Sequence, residues 1–193
     1  MSSKYFGRYD RNRTLLTEKE ESNLDFFKTI MVFLLSIFIL TACNSSSLKE
    51  ESTAIMKTVD TTFHEKEKKT NEKSGKVEFF LPKGYEVKEE SPTNIILKGG
   101  SNTYILFINP QEEPSSDVVY KATIDQYKNL DINKTYKQDH KFGFLTIKQL
   151  DNDKNEMTIG VGGAKITTQV KTSKLVEESK VMMQMVNSVN YNQ

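Results

Sequence analysis

The chain has 193 residues, 36% hydrophobic and 27% charged, with a formal net charge of +1. That length suits one globular domain with tails, and the near balance of charge leaves no overall field to draw it to nucleic acid or acidic lipid. Nucleic-acid binders cluster Lys and Arg, whereas here the basic and acidic side chains are interleaved, so no nucleic-acid partner is expected. Arginine alone breaks the uniform texture. Arg8, Arg11 and Arg13 are the only three, and every later strongly basic side chain is Lys. The stretch before Lys28 therefore reads as separate from the rest: either a cytoplasmic tail or an extension upstream of the true start.

Residues 30–40 read IMVFLLSIFIL, interrupted only by Ser36. A bilayer core needs about 20 residues of helix, so this run is too short to span one. It fits the apolar part of a signal peptide, roughly 7–15 residues behind a positive flank, and Lys28 supplies that flank. The run ends in Leu40-Thr41-Ala42-Cys43, followed by Asn44-Ser45-Ser46-Ser47. This resembles the lipobox of bacterial prolipoproteins. The resemblance implies cleavage before Cys43, a diacylglyceryl group (palmitate-type chains) on its sulfur, and a mature chain on the extracytoplasmic face of the cell membrane. A lone Cys is otherwise an ordinary buried thiol, but Cys43 is the only one, and it stands between the only long apolar run and a polar tract. Each buried methylene contributes about 0.8 kcal/mol, so two acyl chains hold where one binds marginally. Acylation would leave no thiol for a disulfide, and stability outside the cell would rest on the core.

Residues 44–75 are polar, rich in Ser, Thr, Glu and Lys. Ile55, Met56 and Val59 are spaced for a short helix, but Glu65-Lys66-Glu67-Lys68-Lys69 reads as a solvated spacer, and such composition does not order itself fully. The expected organisation is an N-terminal extension and signal peptide over 1–42, a polar tether over 43–75 and a folded domain over 76–193.

From Lys76 the pattern alternates, as half-buried strands do. Val77, Phe79 and Leu81 share a face; Pro82-Lys83-Gly84 turns the chain; Tyr85 and Val87 resume. A second run holds Ile95, Ile96 and Leu97, Gly99-Gly100-Ser101-Asn102 makes a hairpin, and a third strand covers 103–108. Ser115 or Ser116 can cap a helix carrying Tyr120, Ile124 and Tyr127. A charged loop then leads to a strand at 142–147, a turn at 151–155, and alternation at Met157, Ile159 and Val161. Gly162-Gly163 gives a two-residue hairpin, with a returning strand at Ile166, Thr168 and Val170. Leu175, Ser179, Met182, Val186 and Val189 form one helical stripe, with Thr172 or Ser173 as its cap.

Three strands, a helix, at least three strands and a helix give an α+β fold, with a mostly antiparallel sheet and the C-terminal helix packed on it. The opening Phe79-Phe80-Leu81-Pro82-Lys83-Gly84-Tyr85 and the closing helix into Val186-Asn187-Ser188-Val189 resemble the Mog1/PsbP/DcrB superfamily over about 76–193. That resemblance implies an accessory or binding role, since fold alone does not carry activity.

Candidate chemistry is thin. Asp151-Asn152-Asp153-Lys154-Asn155 begins like a calcium loop, but Glu156 replaces the required Gly and Gly162 the bidentate Glu, so a polar turn is expected. His64 and His140 have no second His or Cys at ligand spacing, and no G-x-S-x-G elbow presents a nucleophile. Ser46-Ser47-Leu48-Lys49 matches S-x-x-K by letters alone. Gly160, Gly162 and Gly163 precede a strand rather than a helix, which excludes a phosphate loop and suggests a turn where another backbone approaches closely. The aromatics Phe79, Tyr104, Phe107, Phe142 and Phe144 read as core, with one face free to line a ligand groove. No catalytic residue, metal ligand or cofactor site is expected, and the chain is not read as an enzyme. The partners expected are the membrane, through lipid on Cys43, and an envelope protein. The alternative is a small apolar ligand, carried or sensed between sheet and helix.

Overall fold

Ser47 opens the described chain as a helix N-cap. In this computed structural model, which describes residues 47–151 and 153–191, its hydroxyl accepts from the Glu50 amide at 3.3 Å, and the Glu50 carboxylate accepts from the Ser47 amide at 2.8 Å. Such a capping box satisfies two otherwise orphaned donors. It starts α1 (Leu48–His64), whose Leu48, Ile55, Val59 and Phe63 are buried along one stripe. This corrects the tether and the domain boundary expected at 76. The polar average of 44–75 conceals an amphipathic helix that belongs to the core, and the compact unit takes in the whole of α1. Only the segment after the helix, with Glu65, Lys66, Glu67, Lys68 and Lys69 exposed, matches the solvated reading.

Three short strands pair antiparallel as a small sheet: β1 (Glu72–Ser74), β2 (Val77–Phe79) and, at the far end of the chain, β10 (Asn190–Tyr191). The main sheet has seven strands: β3 (Tyr85–Glu90), β4 (Asn94–Gly99), β5 (Asn102–Ile108), β6 (Ile132–Gln138), β7 (Lys141–Gln149), β8 (Lys154–Val161) and β9 (Ala164–Lys171). Their order is β3-β4-β5-β9-β8-β7-β6, with every neighbouring pair antiparallel. The α+β class with antiparallel sheets and a packed C-terminal helix is therefore observed. The turn expected at 82–84 separates β2 from β3, and the two join different sheets.

Register turns alternation into two faces. Leu106, Ile166, Ile159 and Leu145 are cross-strand partners in one row, and all four are fully buried. Beside them Tyr104, Thr168, Met157 and Ile147 make a second buried row. On this face lie α1 and α3 (Leu175–Asn187), which pack together; Leu175, Met182, Met183 and Met185 of α3 are completely buried. The Phe63 ring closes the junction. Its centroid lies 6.1 Å from that of Tyr136, and it occupies the space where a Cβ on Gly143 would stand.

The intervening row on the other face is Ile105, Thr167, Thr158, Thr146 and Asn133. Here α2 (Val118–Ile124) covers Phe142 and Phe144 with Val119 and Tyr120. The helix is shorter than expected: Tyr127 lies beyond it, and its N-cap is Asp117, without a side-chain capping bond. The presumed charged loop before Phe142 contains β6, an edge strand burying only Ile132 and Tyr136. A 3-10 turn, Thr172–Lys174, precedes α3, and the Thr172 hydroxyl accepts from the Asn155 amide at 2.9 Å rather than capping the helix. Among the described residues no helix is long and apolar enough to cross a membrane.

Candidate functional site

The acidic turn resolves into local hydrogen bonding. Asp151 Oδ1 accepts from the amides of Asp153, at 3.1 Å, and Lys154, at 2.8 Å; Asn152 lies outside the described residues. That is the arrangement by which an Asx side chain mimics a backbone turn. Among the described residues no three His, Cys, Asp or Glu groups stand close enough to hold a metal. Ser47 is the α1 cap and Lys49 is exposed in its first turn; Ser46, the serine of the S-x-x-K match, and Cys43 lie outside the described residues.

The glycine pair is a turn against which backbone packs closely. Gly162 has φ 52°, in the left-handed region that glycine enters freely. A Cβ there would come within 2.5 Å of Pro114 Cα and 2.6 Å of the Glu113 carbonyl oxygen. The loop after β5 is bonded down on both sides: the Asn109 amide donates to the Gly163 carbonyl at 2.8 Å, and the Phe142 amide to that of Pro114 at 2.9 Å. This packing forms one wall of a recess.

The recess, about 320 Å³, opens at the end of the sheet where β8 and β9 meet the C-terminus of α3. Ile108, Val161, Ala164 and Val186 line its apolar part, and Glu112, Asn187 and Lys141 its polar part. A wider groove of about 1020 Å³ adjoins it, between the segment leaving α1 and the β6–β7 turn. The two share Glu67, Lys141, Val189 and Asn190. Lys141 is the hinge of this double site: its ammonium pairs with the Glu67 carboxylate and donates to Asn187 Oδ1 at 3.1 Å. The Asn187 side-chain amide in turn donates to the Phe63 carbonyl at 3.4 Å.

The wider groove brings together His64 and His140, which the sequence holds far apart. His64 Nδ1 lies 2.8 Å from the Asp60 carbonyl oxygen and 3.3 Å from its carboxylate. His140 follows Asp139, whose φ of 45° shapes the β6–β7 turn. The remaining wall includes Glu65, Lys66, Lys68 and Lys69. The aromatics read as core are core, and none lines either recess: Phe79 and Tyr104 are fully buried, and Phe107, Phe142 and Phe144 pack with α2. Nothing in the spacing of the chain marks the groove, because its walls come from three separate stretches.

Two polar clusters lie apart from it. Tyr104 and Tyr85 both donate to the Glu178 carboxylate, at 2.7 and 3.2 Å; burial, above all, raises both phenols above their ordinary range. On the opposite sheet face Lys165 donates to Thr123 Oγ1 at 3.0 Å and stands over the Phe107 ring, 5.8 Å from its centroid. Burial lowers this ammonium below the usual lysine range, with Glu156 opposing the shift. Neither cluster pairs a nucleophile with a base along an open path.

Compared with models of protein families and with curated proteins, the chain matches none.

Proposed function

We propose that the chain is a bacterial lipoprotein anchored through Cys43 to the outer face of the cell membrane, with its folded domain serving as a non-catalytic binding module of the envelope. The observation that carries the anchor is Leu40-Thr41-Ala42-Cys43 at the end of a short apolar run. The binding role is supported by the double recess around Lys141, lined by mixed apolar and polar groups as ligand sites commonly are. Kinship with the Mog1/PsbP/DcrB group belongs to the same reading. It is supported by the turn at 82–84 before a sheet strand and by α3 ending at Asn187-Ser188-Val189.

A second reading, the carriage of a small apolar ligand, is favoured by Ile108, Val161, Ala164 and Val186 in the smaller recess between sheet and helix. Native mass spectrometry of the purified protein separates the two, because a carrier brings its ligand with it.

Radiolabelled palmitate, detergent partition and a pulldown from intact envelopes test the main reading. Wild type should carry label on residue 43 and enter the detergent phase, while Cys43→Ala accumulates as unprocessed precursor. Asn190→Trp, which puts a large ring at the shared mouth of the two recesses, should abolish recovery of the partner without unfolding the domain. Normal cleavage of the cysteine variant, with no added mass on residue 43 in wild type, defeats the anchor. Loss of phenotype in His140→Ala, with folding and export intact, would instead mark a group performing acid–base chemistry.

A further inference from the structure

Of the four lysines on the wider groove, only Lys141 has a carboxylate. Lys66, Lys68 and Lys69 make no ion pair among the described residues. They stand on one short extended segment leaving α1, opposite His140 and Lys141. The acids on the same walls are Glu65, Glu67 and Asp139, and Glu67 is engaged by Lys141. Three unpaired ammonium groups therefore face the cleft against two free carboxylates, with His64 and His140 beside them as further donors.

Other exposed lysines, Lys83, Lys134 and Lys180 among them, also lack an ion pair among the described residues. Lys66, Lys68 and Lys69, however, share one concavity, whereas several exposed charges outside it are paired. Lys121 lies 2.9 Å from Asp117, Lys88 2.6 Å from Glu86 and Lys174 2.9 Å from Glu177. Unpaired like charges gathered in a concavity repel one another and focus a positive potential there. A ligand that neutralises them gains what the fold leaves unsatisfied.

We propose that this groove binds an extended polyanion bearing phosphate groups. The inference rests on the groove being the binding face. Lysine meets anions as a compact point charge, a common partner of phosphate, whereas recognition of a planar carboxylate favours the bidentate fork of arginine; no arginine follows Arg13. At about 1020 Å³ the groove is the size of a site for a drug-sized molecule rather than one small ion, which favours a chain of phosphates over a single one. The same chemistry could come from lipid headgroups. Against that source, α1 runs 17 residues from Ser47 to the groove, about 25 Å at 1.5 Å per residue. A lipid on Cys43 would hold the helix at its opposite end. A soluble or wall-borne chain fits that placement.

The test uses full-length protein in neutral detergent micelles at low salt, titrated calorimetrically with inorganic polyphosphate and, separately, orthophosphate. Polyphosphate should bind more tightly than orthophosphate, and more weakly as salt rises. Changing Lys66, Lys68 and Lys69 together to Gln should weaken polyphosphate binding by about tenfold, as the loss of three modest charge contacts implies. Changing Lys83, Lys134 and Lys180 to Gln removes equal charge from exposed sites away from the groove and should alter binding less than twofold. Doping the micelles with phosphatidylglycerol should leave the wild-type affinity unchanged.

Equal losses in the two triple variants, or no polyphosphate binding by wild type, overturn the proposal. Displacement of polyphosphate by phosphatidylglycerol overturns the assignment to a soluble chain. If Asn190→Trp still abolishes partner recovery while polyphosphate fails to bind, the polyanion falls and the groove remains the binding face. If neither probe responds to changes in the groove, both fall.

Discussion

The two faces of the main sheet use the same strands but are closed by different chemistry. Under α1 and α3 the rows are Leu, Ile and Met with Tyr104 and Thr168, all at or near zero exposure, and the helices answer with Ile55, Val59, Phe63, Met182 and Met183. Under α2 the middle row is Thr146, Thr158 and Thr167, the Thr158 and Thr167 hydroxyls lie 2.9 Å apart, and Ile105 is 45% exposed. Burial of apolar area stabilises the first face at roughly 25 cal/mol per Å². The second relies on a small aromatic cluster and on hydrogen bonds, whose net contribution is about 1 kcal/mol each. Stability should therefore be concentrated on the α1–α3 side, and variants placed symmetrically about the sheet should have unequal effects.

The largest effect is expected where α1 docks. Phe63 is buried against Tyr136 and Gly143, so Phe63→Ala should lower stability by about 3–5 kcal/mol. A chain cut back to 76–193 should show no cooperative thermal transition, because the core would face water where Ile55, Val59 and Phe63 had been. Denaturant melts of both check this. A cooperative transition in the shortened chain would restore the boundary that composition suggests, and α1 would become an accessory.

That boundary shows where the sequence was legible and where it was not. Sequence patterning found β2 to β5 and β7 to β9 but not β1, β6 or β10, and the stripe through Leu175, Met182 and Val186 found α3, because there the buried side chains dominate their face. The same stripe exists in α1, at Ile55, Val59 and Phe63, but it is diluted by Ser, Thr, Lys and Glu on the exposed side. A composition average sees only the dilution. Strand β6 was hidden for a related reason: Lys134 occupies the inward-facing position between Ile132 and Tyr136, and only an edge strand can let such a side chain reach water. The close backbone approach at Gly162 was legible as a possibility, its partner loop was not. The groove was invisible, since it exists only after α1, the β6–β7 turn and the chain leaving α3 have met. Tertiary packing decides such features, and local patterning carries no signal for them.

A middle-sized effect separates the faces by pH. Burial raises Tyr85, Tyr104 and Tyr136 on the α1–α3 side, and on the α2 side raises Tyr127, hydrogen-bonded to Glu156, to about 12. A free phenol ionises near pH 10. With folded values above that, the folded state favours the neutral phenol. This contribution is complete below about pH 10 and is lost as pH rises through the folded values. Tyrosinate absorbance against pH, together with denaturation midpoints from pH 8 to 12, should show these four side chains ionising only as the fold is lost. Ionisation of every tyrosine near pH 10 with the fold intact would mean that the buried rows admit water.

The smallest expected effect lies on the α2 face and has the opposite sign. Lys165 holds a partly buried ammonium that burial pushes toward its neutral form, with one hydrogen bond to Thr123 and the Phe107 ring beneath it. In the unfolded chain the same group ionises freely, so folding below about pH 10 carries a desolvation cost that vanishes once the amine is neutral in both states. Lys165→Met keeps the length of the side chain and removes the charge. Against it stand the lost bond to Thr123 and a cation–π contact of about 0.5–1 kcal/mol. Removing an ammonium from a low-dielectric site is commonly neutral or stabilising when the replacement packs, so the net change at pH 7 should be a gain of about 1 kcal/mol or less. The gain should shrink above about pH 10.5, a dependence that simple repacking would not produce. Urea melts of the two proteins at pH 7 and pH 10.5 read both quantities. A loss of stability at pH 7 that persists at the higher pH would show that Lys165 serves this face by its packing and hydrogen bonding, and that the α2 side is closed more tightly than its threonine row implies.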